Sequence, residues 1–136
     1  MTATPHGPGF SFLDRLDIVE PNKRARGVKW LNPDSAFFAD HFPGQPLMPG
    51  VLLIECAAQA AGAFWAQMTN RPPTTPVYLA GVQQFRFMKT VLPGQTVEVT
   101  VSLEKDFGSL AAFEAVVEVD QTVVAQGKLT MSRAAT

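Results

Sequence analysis

Apolar and polar residues along the chain divide it into two regimes of different period. From Val51 to Ala66 the residues are apolar around nearly the whole helical circumference, interrupted by Glu55 and Gln59, which predicts a buried helix rather than a surface one. The helix is expected to start at Pro49 and end near Thr69 and Asn70, because proline is favoured at a first helical position, where its missing N–H has no intrahelical acceptor to lose. Beyond a stiff connector, Arg71 to Pro76, the period shortens to two. VEVTVSLEK and TVVAQGKLTMS each alternate, so each buries one face. Strands are predicted at Val77 to Val91, Gln95 to Lys105, Leu110 to Val119 and Thr122 to Ser132. Gly94, Gly108 and the pair Asp120 and Gln121 provide the turns. Before the helix, Phe12 to Glu20 and Arg26 to Leu31 alternate as short strands. Asn32 to Ala39 then reads as a loop with one helical turn, and Phe42 to Pro49 as a loop with three prolines and one glycine. Residues 1–9, rich in proline and glycine, read as a tail. A long apolar helix hides all its faces when a sheet curves around it. The expected architecture is therefore α+β, one domain over residues 10–133, with the helix as its filling.

Composition narrows the possible functions. The chain has 136 residues, 46% hydrophobic and 17% charged, within single-domain size and outside the composition of disordered chains. The formal charge of -1 gives no reason to expect a nucleic-acid partner. Cys56 is the only cysteine, so neither an intrachain disulfide nor a multi-cysteine metal site exists. The N-terminus lacks a basic start followed by an apolar run, and the apolar stretch is shorter than a membrane span. A cytoplasmic location without membrane insertion is the expectation.

Two titratable residues carry the candidate chemistry. His41 precedes a loop in which Pro43, Pro46 and Pro49 each restrict φ, which would hold the imidazole in place. Glu55 lies about one and a half turns into the apolar helix, where a carboxylate is costly unless it has a partner or lines a cleft. Apolar surroundings favour the protonated form of a carboxyl group and so its use as an acid. The bland alternative is a loop histidine and a carboxylate paired in the core. Gly50, near the helix start, offers an amide without an intrahelical acceptor and no side chain to block approach. It would equally serve tight packing. Gln59 is four residues after Glu55 on the same face and would either orient that carboxylate or make a structural hydrogen bond.

The segment HFPGQPLMPGVLLIECAAQAAG closely resembles the signature of the FabZ-type β-hydroxyacyl-acyl-carrier-protein dehydratases. FLDRLDIVE and YLAGVQQFRFMKTVLPGQTVEV extend the likeness over most of the chain. The resemblance implies a hot-dog fold, a curved antiparallel sheet wrapped around one central helix. It places the catalytic histidine on His41, the catalytic acid on Glu55 and the amide that polarises the thioester carbonyl on Gly50. Glutamate rather than aspartate favours the FabZ side of the family. The resemblance further implies no metal or organic cofactor, an acyl carrier protein as partner, and a homodimer sharing residues across its active sites, with a trimer of dimers as the larger assembly. Arg86 with Lys89 is the favoured carrier-docking pair, ahead of the cluster Lys23, Arg24, Arg26 and Lys29.

The chain departs from the pattern at Asp40, where the family has glycine; this carboxylate would either contact His41 and support its protonated form or face solvent. Phe64 and Trp65 are bulky for the end of the helix and would shorten or reshape an acyl site there. Both departures open the substrate to polyketide, aryl-polyene or other specialised acyl groups besides fatty acids. A hot-dog thioesterase and a non-catalytic acyl-binding subunit are the competing expectations.

Overall fold

The computed structural model describes residues 11–35, 48–71 and 76–133. In chain order these form β1 (Arg15–Glu20), β2 (Arg24–Trp30), α1 (Gly50–Met68), β3 (Tyr78–Phe87), β4 (Thr96–Asp106), β5 (Leu110–Val119) and β6 (Thr122–Ser132). The strands make one six-stranded antiparallel sheet ordered β1-β2-β4-β5-β6-β3. Its core face packs on α1.

The period-two segments became strands for the expected reason. Val97, Val99 and Val101 of β4 and Ala111, Phe113, Ala115 and Val117 of β5 are buried, while their neighbours in sequence face outward. The β5 and β6 bounds match the sequence expectation. β3 ends at Phe87 rather than Val91, and β1 starts at Arg15 rather than Phe12. Asp120 and Gln121 both take left-handed φ, 50° and 65°, as the tight hairpin between β5 and β6 requires.

The four later strands do not pair in simple sequence order. β3 pairs with β6 at the far edge, because β2 already occupies the free side of β4. Residues 88–95 must therefore cross back from that edge. The crossing passes beside the start of the helix: Met48 N–H donates to the Val91 carbonyl at 2.6 Å, and Leu31 N–H to the Gln95 carbonyl at 2.9 Å. Met48 and Val91 are both buried at this crossing.

The helix runs 19 residues, with Pro49 in extended conformation as its N-cap. It exceeds the apolar stretch read from sequence and has the length and hydropathy of a membrane span, yet 67% of that window is buried within the fold, as for a core helix. Alanines dominate the face toward the sheet, including Ala57, Ala60 and Ala61 at 0% exposure. A Cβ on Gly27 of β2 would lie 2.9 Å from the Ala60 Cβ and 2.7 Å from Leu13 Cδ1, so strand and helix touch at backbone distance there. At the other end Asn70 (φ 54°) is left-handed; its N–H donates to the Gln67 carbonyl at 3.3 Å and the Arg71 N–H to the Ala66 carbonyl at 2.8 Å. That pair of bonds satisfies carbonyls the helix end would otherwise leave open.

Phe64 and Trp65 are core residues, 1% and 0% exposed. Trp65 Nε1 donates to Asp106 Oδ2 at 3.0 Å, its ring meets Phe113 edge-on at 6.5 Å, and the Arg133 guanidinium stacks 3.7 Å above it. Arg133 also donates to Thr69 Oγ1 at 2.8 Å and to the Gly108 carbonyl at 3.1 Å. A cation at a helix C-terminus is stabilising, and here burial and the Arg71 charge push the guanidinium pKa down while Asp106 opposes them.

Candidate active site

Three of the four catalytic candidates from sequence lie in the described residues, all on the first half of α1. The fourth, His41, lies outside the described residues, as does its neighbour Asp40.

Gly50 is the first helical residue, and among the described residues no side chain caps the N-terminus. The Pro49 carbonyl accepts from Leu52 N–H at 3.0 Å and Leu53 N–H at 3.4 Å. The amides ahead of these have no acceptor within the helix, and the first turn contains no acidic side chain to neutralise its positive end. Such an end favours an oxygen carrying developing negative charge. Gly50 is half-buried because the Phe87 ring covers it: a Cβ there would sit 3.0 Å from Phe87 Cε1 and 3.1 Å from Cζ. The packing role weighed for this glycine is therefore real, and it coexists with an amide that has no acceptor within the helix.

Glu55 is half-buried. Its Oε2 accepts from Gln59 Nε2 at 2.8 Å, and Gln59 Oε1 accepts from the Phe12 backbone N–H at 2.8 Å. Gln59 itself is only 5% exposed. The backbone donor fixes which end of the amide is oxygen, so the NH2 must face Glu55. One side chain thus bonds both to Glu55 and to backbone outside the helix. Cys56 is fully buried, and desolvation pushes its thiol pKa up to about 12. It is an inert core residue in the native state.

The two basic clusters differ. Lys23 and Arg24 pair with Glu20 at 3.6 and 3.8 Å, Arg26 with Glu98 at 3.9 Å, and Lys29 with Asp14 at 3.2 Å. Neither Arg86 nor Lys89 has a carboxylate partner among the described residues. They are not side by side, however. Arg86 turns to the outer face of the sheet, in an open groove of about 310 Å³ with Gln84, Glu114, Gln126 and Lys128. Lys89 lies just past β3, its N–H donating to the Val124 carbonyl at 3.2 Å, on the segment that crosses the start of α1. No cluster of metal-ligating side chains occurs among the described residues.

Sequence reasoning did not find Phe87 or Phe12 as site neighbours. Phe12 enters through a backbone amide, which carries no residue signature. Phe87 depends on the strand register of β3 against β6.

A long central helix crossed by a curved six-stranded antiparallel sheet, with a clamped carboxylate near the helix start, defines a hot-dog domain. Solved structures agree: the dehydratase heterocomplex ApeI:P from Xenorhabdus doucetiae matches at a TM-score of 0.81, covering 96% of this chain and 88% of that one, at 19% identity. A protein from Pyrococcus horikoshii, PH1136, matches at 0.65 over 90% and 84%. The FabA-like domain family matches residues 4–128, and the chain belongs to that family. Among its relatives, the 3-hydroxyacyl-[acyl-carrier-protein] dehydratase FabZ of Anaeromyxobacter sp. (strain K) is 39% identical over 127 residues, covering 91% of this chain and 81% of that protein. The FabZ of Herpetosiphon aurantiacus is also 39% identical, over 125 residues, covering 92% and 88%.

Proposed function

We propose that this chain removes water from a 3-hydroxyacyl group carried as a thioester on an acyl carrier protein, giving the trans-2-enoyl thioester. The observation that carries the proposal is the Glu55 carboxylate, held by Gln59 one and a half turns after a helix start that offers the Gly50 amide, in a chain 39% identical to two FabZ dehydratases.

The chemistry follows from placing the thioester carbonyl at the Gly50 N–H. Abstraction of the α-proton leaves the C–H electron pair delocalised onto the carbonyl oxygen, where the amide and the helix N-terminus stabilise it. The electron pair returns to form the α,β double bond as the β-hydroxyl departs. Glu55 supplies the proton that makes it leave as water. His41 is assigned the α-proton on the likeness of the HFPGQP segment to FabZ enzymes. These side chains suffice for the proton transfers, so the reaction as written draws on no cofactor.

A second copy of the chain completes the site in this reading. β3 is a sheet edge with no second partner strand among the described residues, and its core face leaves Leu79 and Val82 40% and 41% exposed. Exposed apolar edge strands are pairing sites, and this one lies beside the start of α1. Carrier docking is assigned first to Lys89, on the segment crossing the helix start, and to Arg86. Neither has a carboxylate partner among the described residues, which leaves their charge available to an acidic surface, whereas each cation of the β1–β2 cluster is ion-paired.

The test is direct. Incubation with a 3-hydroxyacyl thioester of acyl carrier protein should produce enoyl product, read by absorbance or mass, without free thiol. Thiol release would identify a thioesterase, and no product a binding subunit. His41→Ala and Glu55→Gln should each abolish turnover with the oligomer intact. If the sites are shared, mixing the two variants should restore part of the activity. Charge reversal at Lys89 should raise KM for carrier-borne substrate far more than for a pantetheine thioester.

A further inference from the structure

Phe87 would face away from α1 if β3 ran unbroken. Side chains alternate faces along a strand, and Val82, opposite the buried Leu129, faces the core. Counting on from Val82, an uninterrupted strand would send Phe85 and Phe87 outward and Arg86 inward. The register instead breaks between Gln83, opposite Lys128, and Arg86, opposite Gln126. Gln84 and Phe85 together oppose Gly127, a β-bulge in which Gln84 takes a left-handed φ of 52°. Gly127 makes room for it, since a Cβ there would lie 2.6 Å from the Phe85 Cα. After the bulge the alternation is inverted. Arg86 points to the outer groove, and Phe87, opposite buried Ala125, points to the core side with its ring on Gly50. Phe85 supports that ring at 5.5 Å. Phe87 nevertheless remains 48% exposed, so half the ring is open to whatever approaches the first turn of α1.

We infer that Phe87 is a specificity-determining wall for the carbonyl end of the substrate, aimed by the Gln84 bulge, and that it selects acyl groups without a branch at the α-carbon. This rests on the proposal that Gly50 N–H receives the thioester carbonyl. An oxygen bound there lies about 3 Å from the amide nitrogen. The α-carbon and the sulfur are each one bond from the carbonyl carbon, so these atoms reach the ring that already fills the space of a Gly50 side chain. The sulfur side is the same in every substrate. What varies at this depth is the substituent on the α-carbon, and an α-methyl group would meet the ring. Admitting or refusing one methyl at an apolar wall is worth about 10- to 200-fold in kcat/KM.

The experiment compares 3-hydroxyacyl pantetheine thioesters without an α-methyl group and with one, both α-epimers of the methylated substrate, on wild type, Phe87→Leu and Phe87→Ala. Wild type should prefer the unbranched substrate by at least about tenfold. Phe87→Ala should shrink that preference by about tenfold or more, raising KM for the unbranched substrate, and Phe87→Leu should fall between. An unchanged preference in both variants, or wild type that takes both substrates equally, overturns the inference. Should Phe87→Ala fail to fold by circular dichroism, Phe87→Leu decides alone. Absence of enoyl product from either substrate in wild type refutes the dehydratase proposal instead.

Discussion

Gln59 Nε2 donates to Glu55 Oε2 at 2.8 Å while its own Oε1 is held by the Phe12 N–H at the same distance. The carboxylate is thereby referenced to a segment outside the helix. Gln59→Glu separates the two bonds. A glutamate can still accept from Phe12 but donates to Glu55 only when protonated, and otherwise sets two carboxylates side by side. The variant should keep its fold and lose about 100-fold in kcat, the order of cost of a misplaced reacting group. Lowering the pH should recover part of that loss as the pair takes up a shared proton. Gln59→Leu, which takes the Gln59 oxygen away from the buried Phe12 N–H, should cost a further ~1–3 kcal/mol of stability. Thermal melts beside kcat-against-pH profiles separate the effects; a pH-independent loss in Gln59→Glu would sink the orienting role.

Two glycines in contact with the α1–sheet packing should respond oppositely to alanine. At Gly27 the new methyl would meet Ala60 Cβ at 2.9 Å and Leu13 Cδ1 at 2.7 Å. Overpacking of this kind costs about 1–3 kcal/mol. At Gly62 the methyl would find Val77 Cβ at 3.4 Å, ordinary contact. Replacing a mid-helix glycine there should stabilise by about 0.5–1 kcal/mol through backbone entropy and propensity. Urea midpoints of the two variants check the sign of each.

The strands and the helix were legible in the sequence because burial there follows period. Val97, Val99 and Val101 alternate as written and are buried as expected. Glu55 and Gln59 stood out because they interrupt an apolar helix, and their hydrogen bond follows from i,i+4 spacing. What could not be read is where alternation breaks. The bulge at Gln84 inverts which side of β3 holds Arg86 and which holds Phe87, and a second irregularity between Leu103 and Lys105 turns Asp106 inward to Trp65. Both depend on what the partner strand tolerates, such as Gly127 opposite Phe85. The pairing of β3 with β6 was likewise hidden, since it depends on β2 having taken the free side of β4. The basic clusters show the same limit: Lys23, Arg24, Arg26 and Lys29 are a patch in sequence and a set of ion pairs in space.

Arg133 closes the far end of α1 by stacking on Trp65 and donating to Thr69 Oγ1 and the Gly108 carbonyl. Arg133→Lys keeps the charge but loses the planar fork that makes these contacts together. Lysine should therefore rescue little, with both Arg133→Lys and Arg133→Ala losing about 2–4 kcal/mol, the sum of a cation–π contact and charged hydrogen bonds. Differential scanning calorimetry reads the loss. A lysine variant as stable as wild type would show that charge alone suffices at this helix end.

Cys56 supplies the pH dependence with a definite sign. Its thiol is held neutral by desolvation, with the pKa raised from 9.0 to about 12 in the folded chain. A raised folded pKa means the unfolded state releases its proton first as pH rises. The stabilisation is fully present below about pH 9 and is lost between pH 9 and 12. Cys56→Ala removes that dependence while opening a small cavity, so wild type should lead the variant in stability at pH 7 and lose the lead toward pH 11. Urea denaturation at the two pH values measures the difference. In the native state at pH 8 the thiol should resist iodoacetamide, and alkylation should follow global unfolding. Rapid native-state labelling would mean that α1 opens locally at Cys56, one residue beyond the proposed catalytic acid.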